Sequence, residues 1–208
     1  MRISVVIPAR NEEAFLPKAL QAVLAQTLPP FEVIVVDNAS TDRTREVAEG
    51  FGVRVVYCPR KGVAYARQAG LLAARGEWVA MTDADSIPLP TWLQSLSRHA
   101  KGAIALYGPL RFYGVSPWTA LASEWGYRAF LNLMAFLGKP NLAGANMMFL
   151  REAALKVGGV SRGGGPGGRA FGLEAQAGGE GQVCTRGPGL NLAQEIKGRM
   201  GKVFGPAG

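Results

Sequence analysis

Cysteine and histidine are scarce in this 208-residue sequence, which contains two cysteines and one histidine. Cys58 and Cys184 form no CxxC motif and no Cys/His cluster, which argues against a disulfide framework and against a zinc site. No run of about twenty apolar residues occurs, which argues against a transmembrane span. The apolar stretch at residues 3–7 is only as long as a strand, too short for a cleavable signal. These absences predict a cytoplasmic protein.

Basic residues outnumber acidic ones without forming a basic block, and the net charge is +8. Residues 1–160 contain 17 Lys and Arg against 12 Asp and Glu, and residues 161–208 contain 6 against 3. Because no Lys/Arg block is interleaved with aromatic residues, we expect no nucleic-acid partner. An excess of this kind suits phosphate-bearing substrates or an anionic membrane surface.

Strand-like apolar runs alternate with helical patterns over the first 110 residues. The runs are apolar on both faces, which is typical of a parallel sheet covered by helices on both sides. The sequence therefore predicts an α/β fold with a mostly parallel, Rossmann-like sheet. The predicted strands are residues 3–7, 32–37, 53–57, 78–81 and 104–108, and the predicted helices are residues 14–26, 41–49, 63–74 and 90–100.

Polar side chains follow three of these strands at the point where each strand ends. The sequence PARNE (residues 8–12) follows the first strand, DNASTD (37–42) ends the second, and DAD (83–85) follows the fourth. The carboxyl ends of parallel strands open onto the crevice where ligands bind. We therefore expect the three segments to form one site.

Asp83 and Asp85 are two carboxylates one residue apart, and they repel each other unless positive charge lies between them. A divalent cation meets that need, with open positions left for substrate phosphates. The alternative is a loop with two solvated aspartates, since aspartate is common in turns.

The segment after the second strand contains two kinds of polar residue. Ser40, Thr41 and Asp42 are good helix N-caps, and capping is the favoured interpretation for them. Asp37 lies three residues earlier, so capping does not account for it. Its carboxylate can accept a hydrogen bond from a ribose hydroxyl or a base N–H.

Four motifs carry a resemblance to a known family. In chain order they are VVIPARNEEAFLPKALQAVLAQ, VIVVDNASTDRT, RKGVAYARQAG and MTDAD. Together they resemble the family 2 glycosyltransferases, which have the GT-A fold, over about residues 1–160. The segment NLAGANMMFLREAALKVGGV (141–160) is similar to the acceptor-side segment of that family. The resemblance implies a nucleotide-sugar binding half at 1–110 and an acceptor-side segment at 111–160. Composition alone predicts a glycine-rich tail of weak order at 161–208.

The resemblance implies transfer of a sugar from a UDP- or GDP-type donor to a hydroxyl of a saccharide or lipid-linked acceptor, with inversion. The resemblance further implies a role in cell-surface polysaccharide or glycolipid synthesis. Arg10 stands where family members often have tyrosine. The implied site residues are Pro8, Ala9, Glu12 and Ala84 in the nucleotide pocket, Asp37 at the base or ribose, Lys61 and Arg67 near the nucleotide, Asp83 at the ribose, and Asp85 on Mg²⁺ or Mn²⁺.

The catalytic base is the part of the family pattern that the sequence does not supply. Inversion needs a carboxylate that removes a proton from the acceptor hydroxyl. Family members usually have an acidic pair after the segment that matches Gly158-Gly159, but no aspartate follows Asp85 here. Glu174 and Glu180 are the candidates that remain.

Residues 161–208 hold 15 of the 28 glycines, and strand or helix periodicity fades there. Three interpretations are open. The segment is an unstructured extension that supplies Glu174 or Glu180; or the protein binds a nucleotide sugar without turning it over; or the coding sequence has slipped frame near residue 160. A nucleotidylyltransferase is a further class, but it would need a glycine-rich phosphate loop, and PARNEE contains no glycine.

Residues 118–137 are the most apolar stretch and predict a helix with a polar stripe. Glu124, Arg128 and Asn132 recur every four residues, and Glu124 can pair with Arg128. The favoured interpretation is a helix packed on the core; the alternative is an in-plane helix in peripheral contact with a membrane. His99 follows Arg98 at a predicted helix end and is expected to complement the helix dipole.

Overall fold

The computed structural model describes residues 1–108, 110–113, 116–136, 144–159 and 194–197. The strands are β1 (Ile3–Ala9), β2 (Glu32–Asp37), β3 (Arg54–Tyr57), β4 (Trp78–Met81), β5 (Ser86–Pro88), β6 (Ala105–Tyr107), β7 (Leu110–Tyr113), β8 (Met147–Leu150) and β9 (Gln194–Lys197). The helices are α1 (Leu16–Leu24), α2 (Thr44–Gly50), α3 (Val63–Ala73), α4 (Trp92–Arg98), α5 (Pro117–Phe136) and α6 (Arg151–Lys156).

The main sheet has six strands in the order β3-β2-β1-β4-β8-β6. β1 pairs in parallel with β2 and β4, and β2 pairs in parallel with β3. β8 is antiparallel to both of its neighbours, β4 and β6. The predicted mostly parallel sheet is therefore confirmed, with β8 as the one reversed strand of this sheet.

Helices cover both faces of the sheet, as the two-faced apolar strands predict. Because successive side chains of a strand point to opposite faces, Val5 and Ile7 belong to an apolar cluster that includes residues of α1 and α4, whereas Val6 belongs to one that includes residues of α3 and α6. All three of these strand residues are fully buried. Each face of the sheet therefore has its own apolar layer.

Gly70 allows α3 to lie very close to β1. A Cβ atom built on Gly70 would sit 2.2 Å from Cγ1 of Val6, a separation that real Cβ atoms do not show. The absence of a side chain at this position thus fixes α3 against the centre of the sheet.

β5, β9 and β7 form a second, three-stranded sheet, in which β9 is antiparallel to β5 and parallel to β7. Within residues 161–208 the structure describes β9 alone, so the weak order expected for the rest of that segment lies outside the described residues. In the described part of the chain, no helix is both long enough and apolar enough to cross a membrane.

Candidate functional site

The ends of β1, β2 and β4 lie side by side at one edge of the main sheet. β1 is the middle strand of the three, and Ala9 is in register with Asp37 at the end of β2. On the other side, the N–H of Thr82 donates to the carbonyl of Val6 at 3.3 Å, which extends the β1–β4 pairing past β4. The structure thus brings together the segments after Ala9, Asp37 and Met81. Pro8 and Ala9 are buried there and Glu12 is half-buried.

Ser40 and Thr41 join two loops and do not cap α2, so the predicted capping is wrong for both. The Ser40 hydroxyl accepts from the Asn11 N–H at 3.1 Å, and the Thr41 N–H donates to Asn11 Oδ1 at 2.8 Å. The helix begins at Thr44, later than predicted, because these residues are held by the loop after β1. Asp42 does serve the helix, since its Oδ1 accepts from the Thr44 N–H at 3.0 Å.

The Asp42 carboxylate also accepts from the N–H of Glu13, at 3.1 Å, and from the Thr44 hydroxyl. Burial alone would raise the pKa of Asp42. The hydrogen bonds from the hydroxyl and N–H of Thr44 and from the Glu13 N–H outweigh burial, and the pKa of Asp42 is lowered from its usual value. Its charged form therefore helps to hold the loops after β1 and β2 together.

Asp37 is 4% exposed, and its Oδ1 accepts from the N–H of Ser40 at 3.0 Å. The carboxylate therefore has a structural partner inside its own turn. Ala39, in the middle of that turn, has φ of 54°, a conformation that non-glycine residues rarely adopt.

Asn38 is a structural residue of the site that the motif interpretation missed. Its Nδ2 donates to the carbonyls of Cys58 at 3.1 Å and Arg60 at 2.6 Å, and its Oδ1 accepts from the N–H of Gly62 at 2.7 Å. These bonds fix the loop after β3, on which Lys61 is exposed. The only signal in the sequence is an amide next to Asp37, which is equally typical of an ordinary turn.

Arg67 and Asp83 form an ion pair, with Nη2 of Arg67 2.7 Å from Oδ1 of Asp83. The Arg67 side chain is 8% exposed and that of Asp83 is 33% exposed. Arg67 thus supplies positive charge to one of the two aspartates for which the sequence predicts a cation. Asp85, two residues on, follows the buried Ala84 and is half-buried.

Asp85 is one carboxylate, so a cation bound to it would need further ligands from a substrate. Among the residues that the structure describes, no group of three or more His, Cys, Asp or Glu side chains is arranged to hold a metal. Mg²⁺ is commonly bound through one or two carboxylates together with substrate phosphates, and does not require an all-protein cage. Asp85, with Asp83 already neutralised by Arg67, fits a metal held in this way.

Glu174 and Glu180, the predicted base candidates, lie outside the described residues. The acidic residues of α5 and α6 are Glu124 and Glu152. Glu124 pairs with Arg128 at 2.8 Å, and Glu152 pairs with Lys156 at 3.1 Å. Each of them is thus part of an (i, i+4) pair on its own helix.

The similarity of the chain to known proteins identifies its family. The model of glycosyl transferase family 2 matches residues 4–158 of the chain. The chain belongs to this family. Its fold is accordingly the GT-A fold, and the resemblance inferred from the sequence motifs is confirmed.

Two relatives and two solved structures illustrate the similarity. The chain is 28% identical over 178 residues to the glucosyl-dolichyl phosphate glucuronosyltransferase of Haloferax volcanii, covering 76% of this chain and 56% of that protein. It is 31% identical over 104 residues to the uncharacterized glycosyltransferase EpsJ of Bacillus subtilis, covering 48% of this chain and 30% of that protein. The chain thus spans about half or less of the length of these relatives.

Glucosyl-3-phosphoglycerate synthase from Mycobacterium tuberculosis, solved with Mn²⁺ and UDP-glucose, matches with a TM-score of 0.56 and 26% identity, covering 73% of this chain and 56% of that one. TarS residues 1–349 from S. aureus, solved with UDP, matches with a TM-score of 0.50 and 27% identity, covering 56% of this chain and 37% of that one.

Proposed function

We propose that this family 2 protein transfers a sugar from a nucleoside-diphosphate donor to an acceptor hydroxyl, with inversion and with a divalent cation. The observation that carries the proposal is the meeting of the segments after Ala9, Asp37 and Met81 at one sheet edge, with Arg67 paired to Asp83 there. Support comes from the glucosyl-3-phosphoglycerate synthase of similar fold that was solved with Mn²⁺ and UDP-glucose.

Each donor-side residue has a defined task in this proposal. Asp37 accepts from the base or ribose, and Asp83, oriented by Arg67, accepts from the ribose. Lys61, exposed on the loop that Asn38 fixes, approaches the diphosphate and offsets its negative charge. Pro8, Ala9, Glu12 and Ala84 line the nucleotide pocket.

Asp85 would hold Mg²⁺ or Mn²⁺ together with the donor diphosphate. A bound cation of this kind supplies Lewis-acid stabilisation of the charge that develops on the leaving diphosphate. The acceptor is proposed to be a saccharide or a lipid-linked molecule used in cell-surface polysaccharide or glycolipid synthesis. The name of the Haloferax volcanii relative, a glucosyl-dolichyl phosphate glucuronosyltransferase, supports the lipid-linked class.

A second candidate function is binding of the nucleotide sugar without transfer. It is favoured by the acidic residues of α5 and α6, since Glu124 and Glu152 are both ion-paired on their helices. If neither Glu174 nor Glu180 reaches the acceptor hydroxyl, proton removal lacks a base and transfer is lost while donor binding remains.

Calorimetric titration with UDP and with GDP, each with and without Mn²⁺, tests the binding part. We expect one of the two nucleotides to bind, and Asp85→Ala to abolish the Mn²⁺-dependent part of its affinity. Unchanged Mn²⁺-dependent affinity in the variant would remove Asp85 from the metal site. Hydrolysis of the donor sugar, or its transfer, then separates an enzyme from a binding protein, and Glu174→Gln and Glu180→Gln identify the base.

A further inference from the structure

Gly144, the first described residue after α5, lies against the guanidinium of Arg67. A Cβ atom at position 144 would sit 1.9 Å from Cζ of Arg67 and 2.1 and 2.3 Å from its two terminal nitrogens. Gly144 is not among the described glycines with positive φ. Crowding against the Arg67 guanidinium is the observed reason for a glycine here.

Arg67 is enclosed on its other sides as well. Its side chain is 8% exposed, and its Nε is buried with no hydrogen-bond partner in the described part of the chain. One terminal nitrogen, Nη2, makes the ion pair with Asp83. Among the described residues, the guanidinium is held by this ion pair and by close packing, in which Gly144 forms one wall.

We propose that Gly144 is a positioning residue, which keeps the Arg67 guanidinium on Asp83 by leaving it room. The role in donor binding rests on the proposed function; the steric role does not. A methyl group at 144 meets the far end of a flexible side chain, so the guanidinium, and not the backbone, is the part that must be displaced. Asp83 would then lose its counter-ion and its orientation. The acceptor-side segment would in this way control a donor-side carboxylate.

The first test is the NMR signal of the Arg67 Nε–H, identified by its absence in Arg67→Lys. In the parent protein we expect a slowly exchanging signal, because the Nε is buried. In Gly144→Ala its solvent exchange should be at least about tenfold faster, because the guanidinium is displaced. Gly126→Ala, with no atom within 4 Å of the added Cβ, is the matched control and should leave the signal unchanged. An unchanged signal in Gly144→Ala overturns the proposal.

The second test is a double-mutant cycle on UDP affinity in Mn²⁺. Gly144→Ala alone should weaken binding about tenfold, since the hydrogen bond between two charged groups is lost. In the background of Arg67→Met, which removes the guanidinium, adding Gly144→Ala should change the affinity less than about twofold. An equal loss in both backgrounds overturns the proposal. If the parent protein binds neither UDP nor GDP, the proposed function fails, and the exchange rate of the Nε–H still decides the steric role.

If Gly144→Ala does not fold, the double variant Arg67→Met with Gly144→Ala tests the steric role of Gly144. A folded double variant, shown by a cooperative thermal transition, supports the proposal because only the guanidinium conflicts with the methyl group. An unfolded double variant overturns it, because Gly144 would then be needed for some other contact.

Discussion

Asp37 and Asn38 are neighbours at the end of β2, but they serve different loops. Asp37 accepts from the N–H of Ser40 within its own turn, whereas Asn38 binds the loop after β3 through three hydrogen bonds. The position of Lys61 therefore depends on a residue that need not touch the nucleotide itself. A change at Asn38 would move the loop and leave Asp37 in place.

The contribution of Asp42 to the free energy of unfolding depends on pH. We expect Asp42→Asn to lower the free energy of unfolding by about 1 kcal/mol at neutral pH, the usual effect of losing a helix-start acceptor. Asparagine has one acceptor oxygen and cannot accept from both Thr44 and Glu13 as the carboxylate does. Because folding lowers the pKa of Asp42, its contribution is full above the unfolded-state value of about 3.9 and is lost as pH falls through the folded-state pKa.

Urea unfolding of the parent and of Asp42→Asn across the acid range measures this. The difference between the two curves should disappear in strong acid. Glu49→Gln is the control, because the exposed Glu49–Arg45 pair on α2 is worth less than about 0.5 kcal/mol. A difference that persists unchanged in strong acid would contradict the assignment of the effect to the Asp42 charge.

The sequence predicts which strand ends meet at one edge of the sheet, because strand ends are local features. The segments after β1, β2 and β4 meet as expected. The contact between Gly144 and Arg67 could not be predicted, since it joins residues far apart in the chain and depends on side-chain packing. The loop contacts of Ser40 and Thr41 could not be predicted either, because helix caps and loop–loop contacts use the same residue types.

Among the elements, α5 has two different sides. Glu124 and Leu131 are buried, as the interpretation of a helix packed on the core requires. On another side Trp118 is 80% exposed and Trp125 is 66% exposed, and Leu133 is 55% exposed. The predicted pair between Glu124 and Arg128 is confirmed. Because this side of α5 is exposed and apolar, peripheral contact with a membrane remains a prediction.

Replacement of both exposed tryptophans tests that contact. We expect the parent protein to co-sediment with phosphatidylglycerol vesicles and the variant Trp118→Ser with Trp125→Ser to bind at least about tenfold more weakly, because apolar burial is lost. Leu72→Ser removes an apolar side chain that is 58% exposed on α3 and serves as the control. Equal binding of the parent and the double variant would exclude α5 as the contact surface.

The lengths and directions of elements were predicted less well than their existence. α1 is shorter than the predicted helix at both ends, and α2 starts three residues late. The start of α2 is set by hydrogen bonds with the loop after β1, which a helical pattern does not contain. The reversed direction of β8 could not be predicted either, since the sequence MMFL is equally apolar in a parallel or an antiparallel strand.

For the whole molecule, the division into a donor-binding part and a glycine-rich tail remains a prediction. High glycine content raises the entropic cost of ordering a chain. We therefore expect trypsin to cut first beyond residue 160, at Arg162, Arg169 or Arg186. The proposed donor-side residues all lie at or before Asp85, so the cleaved protein should retain its affinity for UDP or GDP in Mn²⁺ within about twofold, about 0.4 kcal/mol.

Limited proteolysis followed by calorimetric titration measures both parts of this prediction. β9 pairs with β5, which begins directly after Asp85. A loss of affinity beyond tenfold after cleavage would therefore show that the tail supports the site. Resistance to trypsin, together with loss of turnover in Glu174→Gln or Glu180→Gln, would show that the tail is part of the enzyme.

The reversed strand β8 also has a consequence during synthesis of the chain. β1, β2 and β3 can pair soon after they leave the ribosome, and β4 then joins β1. The other edge of β4 pairs with β8, which is made about 65 residues later, so at usual elongation rates this apolar edge stays open for about 3–13 s. An open edge of this kind is a template for another chain. The nascent protein is therefore most prone to aggregate in that interval, and slower translation between β4 and β8 would lengthen the exposure.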